Sequence, residues 1–412
     1  MKDSYVGGVP EDVISTYSGY MEGWYRLMQF IACLWMSFLS DKVGRKFVSM
    51  MELCVHLCSS LALGLCTTYE AAFCVRLVNG LFAGSTPVNK SLMRELTDDT
   101  NISSLYGYFA LGVGLGNSLG PFMAGLSKPA ENIGGIFDCE FFRTYPYFLP
   151  LALHSLMCFI VLILVWYCLP STKPKVEKGQ SYKSLFSNKL YIYALCIFGI
   201  LALMQFGFRL LFTLICKSDE SFGGMGITSE DKVSLIQGFA GIFVLVLPPL
   251  LTPVINMKIG LVNSIAWICV LLGPMYMVVY VCRALSGMWK YAALTIFYGV
   301  TNSGIAIFMF YISIIVSNTV TSDILGAANG LSQAFVGMNR FISSNTFGII
   351  YGWSVTSGLS YPLIDASFSY LIIALLSIVD LIIIFLTLDS SVERKKIKPL
   401  TEIPLLESSK VN

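Results

Sequence analysis

Eleven stretches of this 412-residue sequence are each long and apolar enough to cross a membrane as a helix, and that repeated length constrains the fold more than any other feature. An α-helix rises about 1.5 Å per residue, so about 20 consecutive, mostly apolar residues span the hydrocarbon core. The stretches lie near 17–39, 47–67, 71–93, 104–126, 147–169, 190–215, 233–254, 261–281, 291–316, 325–351 and 364–387. In lipid each backbone N–H and C=O must be satisfied within the segment, and runs of this length do so as helices. With 55% hydrophobic and only 13% charged residues, water is not the main solvent of this chain. The expected fold class is an all-α polytopic membrane protein with eleven transmembrane helices.

Charge placement orients these helices. The turn Ser37-Phe38-Leu39-Ser40-Asp41-Lys42-Val43-Gly44-Arg45-Lys46 sets acidic and basic residues between the first two apolar segments. Gly44 permits a tight turn, and Asp41 is able to pair with the basic residues or a helix end. If this turn is cytoplasmic, the loops on its side carry fifteen Lys and Arg residues against seven on the other. The positive-inside rule expects that asymmetry, and it places the C-terminus in the cytoplasm. No basic region followed by a short apolar core marks a cleavable signal peptide.

The order small-x-x-x-Asp-basic-x-Gly-basic-basic, with Ser37 in the small position, resembles the loop between helices 2 and 3 of the major facilitator superfamily. Two further motifs agree. Arg76-Leu77-Val78-Asn79-Gly80 resembles the Arg-x-x-x-Gly of facilitator helix 4, where the arginine serves proton coupling in many members. Gly112, Gly116, Gly120, Pro121 and Gly125 resemble the glycine-rich motif of helix 5 associated with antiporters. Recurring every four residues, Gly112, Gly116 and Gly120 are expected to give a bare helix face that a neighbour approaches closely, and Pro121 is expected to add a bend. Gly84-Ser85-Thr86-Pro87-Val88-Asn89-Lys90 and Tyr145-Pro146-Tyr147-Phe148-Leu149-Pro150 are similar to zinc-induced-facilitator-like and tetracycline-resistance-like drug:proton antiporters.

The resemblance implies twelve helices in two halves. It places the first apolar stretch here at helix 2, so helix 1 has no counterpart and Met1 to Ser15 corresponds to the loop before helix 2. The halves are then 1–170 (helices 2–6) and 189–388 (helices 7–12), joined by a Lys-rich cytoplasmic linker at 171–188 and followed by a cytoplasmic tail at 389–412. Either the coding sequence begins further upstream or the protein lacks that helix.

Charges inside apolar segments are costly and mark function by default. Glu22 and Arg26 are four apart on one helix face, and with Arg76 they are the candidates for proton coupling, Glu22 as the proton carrier. Lys90, Gln205, Arg209, Asn302 and Arg340, the last beside Asn339, are candidates to line the substrate cavity. Glu52 and His56 have the spacing of a structural pair, and Asp380 in the last segment is expected to be peripheral.

The twelve cysteines are scattered through apolar runs without a CxxC pair, and the only two histidines, His56 and His154, lie in apolar segments. No metal site or cofactor is expected. The sequence has no nucleotide-binding glycine loop and no nucleophile with a histidine partner, so an enzyme and an ATP-driven pump are not expected. The reading is a secondary active transporter, a monomer exporting a small organic molecule against protons by alternating access. It sits in the lipid bilayer of the plasma membrane or a vacuole-like organelle, with no nucleic-acid partner. A uniporter or symporter of sugars or organic acids, and a degenerate non-transporting receptor or scaffold, are the alternatives.

Overall fold

The computed structural model describes residues 14–96, 102–170, 182–320, 325–357 and 365–388. Among these every regular element is helical. The long helices of the first half are α1 (Ile14–Val43), α2 (Arg45–Gly64), α3 (Tyr69–Leu81), α4 (Ser85–Leu96) and α5 (Ile102–Ala124). Two short helices, α6 (Pro129–Asn132) and α7 (Glu140–Thr144), lead to α8 (Phe148–Cys168). After a further short helix, α9 (Tyr182–Ser187), come α10 (Lys189–Lys217), α11 (Glu230–Ile259), α12 (Leu261–Ala284), α13 (Gly287–Asn318), α14 (Leu325–Thr356) and α15 (Phe368–Thr387). The expected linker is helical where it is described, at α9, whereas residues 171–181 and the expected tail from 389 lie outside the described residues.

Eight helical spans among the described residues are both long and apolar enough to cross a bilayer. The expected count of eleven is not reached by that measure. The three apolar stretches that fall short lie in α1, α5 and α14, which are long helices nonetheless. Their lower hydropathy is written in their residues: α1 carries Glu22 and Arg26, α5 is rich in glycine, and α14 carries Asn339, Arg340, Ser343 and Ser344. Of these, α1 packs along α14, and α5 packs along α11.

The stretch expected as one helix at 71–93 is broken. Phe82, Ala83 and Gly84 separate α3 from α4, and a Cβ on Gly84 would lie 2.4 Å from the Ala32 carbonyl carbon. The break therefore lets backbone meet backbone against α1. Pro87 falls in the first turn of α4, where its missing N–H costs no helical hydrogen bond.

Single glycines make two of the sharpest connections. Gly44, at φ 101° and ψ 152°, separates α1 from α2, and Gly260, at φ 84° and ψ 172°, separates α11 from α12. Side chains disfavour both conformations. Burial is uneven across the molecule: α10 and α13 are 67% and 61% buried over their most apolar windows, while α8 is 11% buried and presents its aliphatic side chains outward. Phe208 of α10 lies within a buried aromatic group, 5.5 Å from the rings of Phe297 and Tyr276 and 6.1 Å from Tyr370. Asp380, expected at the periphery, is fully buried in α15, and neither carboxylate oxygen has a hydrogen-bond partner among the described residues.

Close approach depends on small residues, though not on those the sequence singled out. A Cβ added at Gly112, Gly116 or Gly120 meets nothing within 4 Å, so the expected close-packed face is unpartnered among the described residues. The adjacent face of α5 is the packed one. A Cβ on Gly241 of α11 would lie 2.5 Å from Ser118 Cα and 2.8 Å from the Asn117 carbonyl oxygen, the carbonyl that Pro121 cannot bond. Ser118 Oγ also donates to the Gly238 carbonyl at 3.0 Å. Between α1 and α14, Gly19 and Gly23 do the same against Ser344 and Asn345. Gly241→Ala should therefore destabilise the detergent-solubilised protein by about 1–3 kcal/mol through overpacking. Gly116→Ala should be neutral or stabilising by about 0.5–1 kcal/mol, because alanine is the better helix former. Thermal unfolding of the two variants checks the contrast.

Candidate substrate and proton-coupling site

Side chains from six helices converge around α1. Glu22 and Arg26 stack on one face as the helical period dictates. Arg26 Nη2 lies 2.5 Å from Glu22 Oε1, its Nε donates to the same oxygen at 2.8 Å, and its Nη1 donates to Gln29 Oε1 at 2.9 Å. Arg76 of α3 approaches the other carboxylate oxygen, with Nη2 3.7 Å from Oε2. One carboxylate thus holds guanidiniums from two helices. Among the described residues, the Arg209 side chain of α10 makes long hydrogen bonds of 3.4 Å, from Nε to Asn302 Oδ1 of α13 and from Nη2 to Asn117 Oδ1 of α5.

Phe206 organises the remainder. Its ring centroid lies 4.6 Å from Arg340 Cζ of α14, 4.9 Å from Arg26 Cζ and 5.9 Å from Arg209 Cζ. Tyr25 takes the other side, with its ring 5.1 Å from Arg26 Cζ and 5.0 Å from Arg76 Cζ. A cation over an aromatic face gains about 0.5–2 kcal/mol. Two like charges about 8 Å apart at an effective dielectric of about 20 repel by about 2 kcal/mol. The rings therefore offset only part of the repulsion among the four guanidiniums that gather near one carboxylate.

A cavity of about 290 Å³ shares Tyr25 and Arg76 with the cluster and is walled further by His56, Ser59, Ser60, Asn79 and His154. Ser60 Oγ lies 2.8 Å from His154 Nδ1, and Asn79 Nδ2 donates to Ser59 Oγ at 2.5 Å. His56 Nδ1 donates to the backbone carbonyl of Glu52 at 3.1 Å. The expected pairing of the Glu52 and His56 side chains is thus replaced by a main-chain bond, and Glu52 Oε2 is buried without a partner among the described residues. Both histidines of the chain, which the sequence places far apart, share this one cavity.

Comparison with known proteins gives this arrangement its family. The model of the Major Facilitator Superfamily matches residues 12–344. The chain belongs to that superfamily. This facilitator is 23% identical over 390 residues to Zinc Induced Facilitator-Like 1 of Arabidopsis thaliana, covering 86% of this chain and 79% of the relative. It is also 23% identical over 203 residues to the class B tetracycline resistance protein of Escherichia coli, covering 49% and 47%. Among solved structures, a D-xylose-proton symporter superposes with a TM-score of 0.68 at 12% identity, over 94% of this chain and 92% of that one, a likeness of fold. Family and apolar helices together make the chain an integral, multi-pass membrane transport protein.

The facilitator's loop motif is tightly wired. Ser37 Oγ donates to the Cys33 carbonyl at 2.6 Å, Ser40 Oγ to the Ser37 carbonyl at 2.7 Å, and Arg45 Nη1 to Ser40 Oγ. The Gly44 N–H returns to the Ser40 carbonyl at 3.0 Å. Lys46 Nζ crosses to the Trp166 carbonyl of α8 at 2.6 Å, tying the turn to a distant helix. The side chains of Asp41 and Lys90 lie outside the described part of the molecule.

Of the candidate residues, the structure brings Glu22, Arg26, Arg76, Arg209, Asn302 and Arg340 together. Gln205 is half-buried on α10, and its neighbour Phe206 is the residue that meets the guanidiniums. Asn339 bonds back to the Phe335 carbonyl at 2.9 Å within its own helix. Tyr25, Asn117 and Phe206 were not legible, since an aromatic or amide in an apolar run carries no signal until its neighbours are known. Glu22→Gln should lower stability by about 1–3 kcal/mol by weakening a charged hydrogen bond. Adding Arg26→Gln should give a combined loss smaller than the two single losses added, measured as a double-mutant cycle on melting in detergent. Strictly additive losses would show that the pair does not interact.

Proposed function

We propose that this facilitator exports a small organic molecule in exchange for protons, working as a monomer by alternating access. The observation that carries the reading is the single carboxylate, Glu22, shared by Arg26 and Arg76 where α1, α3, α10 and α14 meet. A proton on Glu22 removes the negative charge that holds both guanidiniums, so protonation and the positions of α1 and α3 are linked. Coupling then reduces to the difference in affinity of proton and substrate for two states of the transporter.

The packing supports a particular state. Close approaches at glycines between the helices before residue 170 and those after 188 include Gly19 to Ser344, Gly23 to Asn345, Ser118 to Gly241 and Phe122 to Gly238. These four lie toward the end of the bundle opposite the Gly44 turn. We read this as a bundle closed at that far end, with the cluster accessible from the Gly44 side, which charge placement assigns to the cytoplasm. A substrate for export would enter from there, and rocking of 1–170 against 189–388 would open the other side.

Proteoliposomes loaded with a pH-sensitive dye and challenged with a panel of small organic molecules test the reading. Some panel members should drive proton flux through the native protein, and Arg76→Ala, folded by its melting profile, should abolish that flux. Undiminished flux in Arg76→Ala would remove this arginine from coupling, and the absence of proton movement with every transported solute would remove antiport.

A further inference from the structure

We propose that the cluster around Phe206 binds an organic anion, whose carboxylate or similarly shaped oxyanion is the counter-charge for Arg209 and Arg340. The inference names the substrate class of the transporter proposed above and rests on that reading.

Charge balance comes first. Arg26, Arg76, Arg209 and Arg340 gather near one carboxylate, and Glu22 is engaged by Arg26 and Arg76. Arg209 and Arg340 have no carboxylate partner among the described residues. Arg209 has two long hydrogen bonds to neutral amides and a ring contact. Arg340 has the Phe206 ring, while its Nε is shut off from solvent without a hydrogen-bond partner. The charges that bear most directly on Arg340 are the guanidiniums of Arg26 and Arg209, both of the same sign. A buried donor on a charged group is strongly unfavourable unless it is satisfied. An arrangement with this much positive charge and an unmet donor is completed by an anion.

Shape narrows the anion. The guanidinium is a planar fork whose paired N–H groups match a carboxylate bidentately. Arg209 and Arg340 approach the same ring from different helices, so an oxyanion lodged there would bridge α10 and α14 beside α1. Room for a carbon body lies in the cavity that Tyr25 and Arg76 line together with Leu63, Val75 and Leu151. A cation of the same size would be repelled by the cluster, and a neutral molecule would leave the charge imbalance in place.

The test uses the full chain in lipid nanodiscs with three ring compounds of nearly equal size: benzoate, benzamide and benzylamine. Calorimetric titration should give benzoate a Kd at least tenfold below that of benzamide, with benzylamine weaker still. Arg340→Met, which keeps an apolar stem and removes the charge, should raise the benzoate Kd at least tenfold, and Arg340→Lys should recover part of the loss. If Arg340→Met does not fold by size exclusion and melting, Arg209→Met reads the same loss. Equal affinity for benzoate and benzamide, an unchanged benzoate Kd in the folded methionine variant, or no benzoate binding at millimolar concentration overturns the proposal. Displacement of benzoate by equimolar chloride overturns it as well, because the site would then be one for a simple halide. The titration needs no proton gradient. Benzoate binding without any proton flux would sustain the anion site and remove antiport, whereas proton flux driven by benzylamine with no benzoate binding would do the reverse.

Discussion

A guanidinium in a bilayer must have water or a partner, and the arrangement of this protein follows from how it meets that demand. Moving an ionised group out of water costs several kcal/mol even after relaxation, and only close, well-aligned counter-charges offset it. Glu22 supplies one such counter-charge and secures Arg26 at hydrogen-bonding distance. The aromatic faces of Tyr25 and Phe206 supply a weaker attraction to Arg76, Arg209 and Arg340. Because these groups come from α1, α3, α10 and α14, the charge cluster is also a tie across the bundle, and its protonation or occupancy bears on how those helices sit.

Such convergence requires backbones to come near. Hydrophobic driving force between helices is small in lipid, so close association rests on small residues and specific hydrogen bonds. Gly241 against Ser118, Gly238 against Phe122 and Gly19 against Ser344 bring α5 to α11 and α1 to α14. Where these approaches occur, Asn117 is placed to meet Arg209 and Arg340 is brought to the same ring as Arg26. The polar seams of α1, α5 and α14 therefore explain why these helices are less apolar than the eight lipid-spanning segments. Their hydrophilic residues face other helices across the bundle.

Much of the fold was legible in the sequence because hydrophobic length and turn chemistry act locally. The Gly44 turn and nearly every helix could be placed from apolar runs and punctuation alone, and the pairing of Glu22 with Arg26 followed from their spacing. What could not be read was rotation. The every-fourth-residue pattern of Gly112, Gly116 and Gly120 pointed to the wrong face of α5, since the packed face is the one carrying Gly114 and Ser118. The break at Gly84 was hidden because the apolar run resumes beyond Ser85-Thr86-Pro87, and the Ala32 backbone opposite Gly84 supplies the reason for it. Phe206 was invisible for a like cause: one phenylalanine among 28 acquires meaning from Arg209 three residues on and from Arg26 and Arg340 far off in sequence.

The two ends of the chain contribute unequally to the site, and the inequality fits a coupled machine. The carboxylate and both histidines come from α1, α2 and α8, whereas the two guanidiniums without carboxylate partners among the described residues come from α10 and α14. Groups able to carry a proton thus lie on one side of the seam, and groups suited to hold a counter-charge lie on the other. Arg26 stands between them, bonded to Glu22 and sharing the Phe206 ring with Arg209 and Arg340. On the proposed reading, a proton on Glu22 would free Arg26 to interact more strongly with an anion on the α10–α14 side, and that anion would compete with Glu22 for Arg26. On that reading, proton and substrate need not touch to affect each other, since one guanidinium shared by both networks would link their affinities.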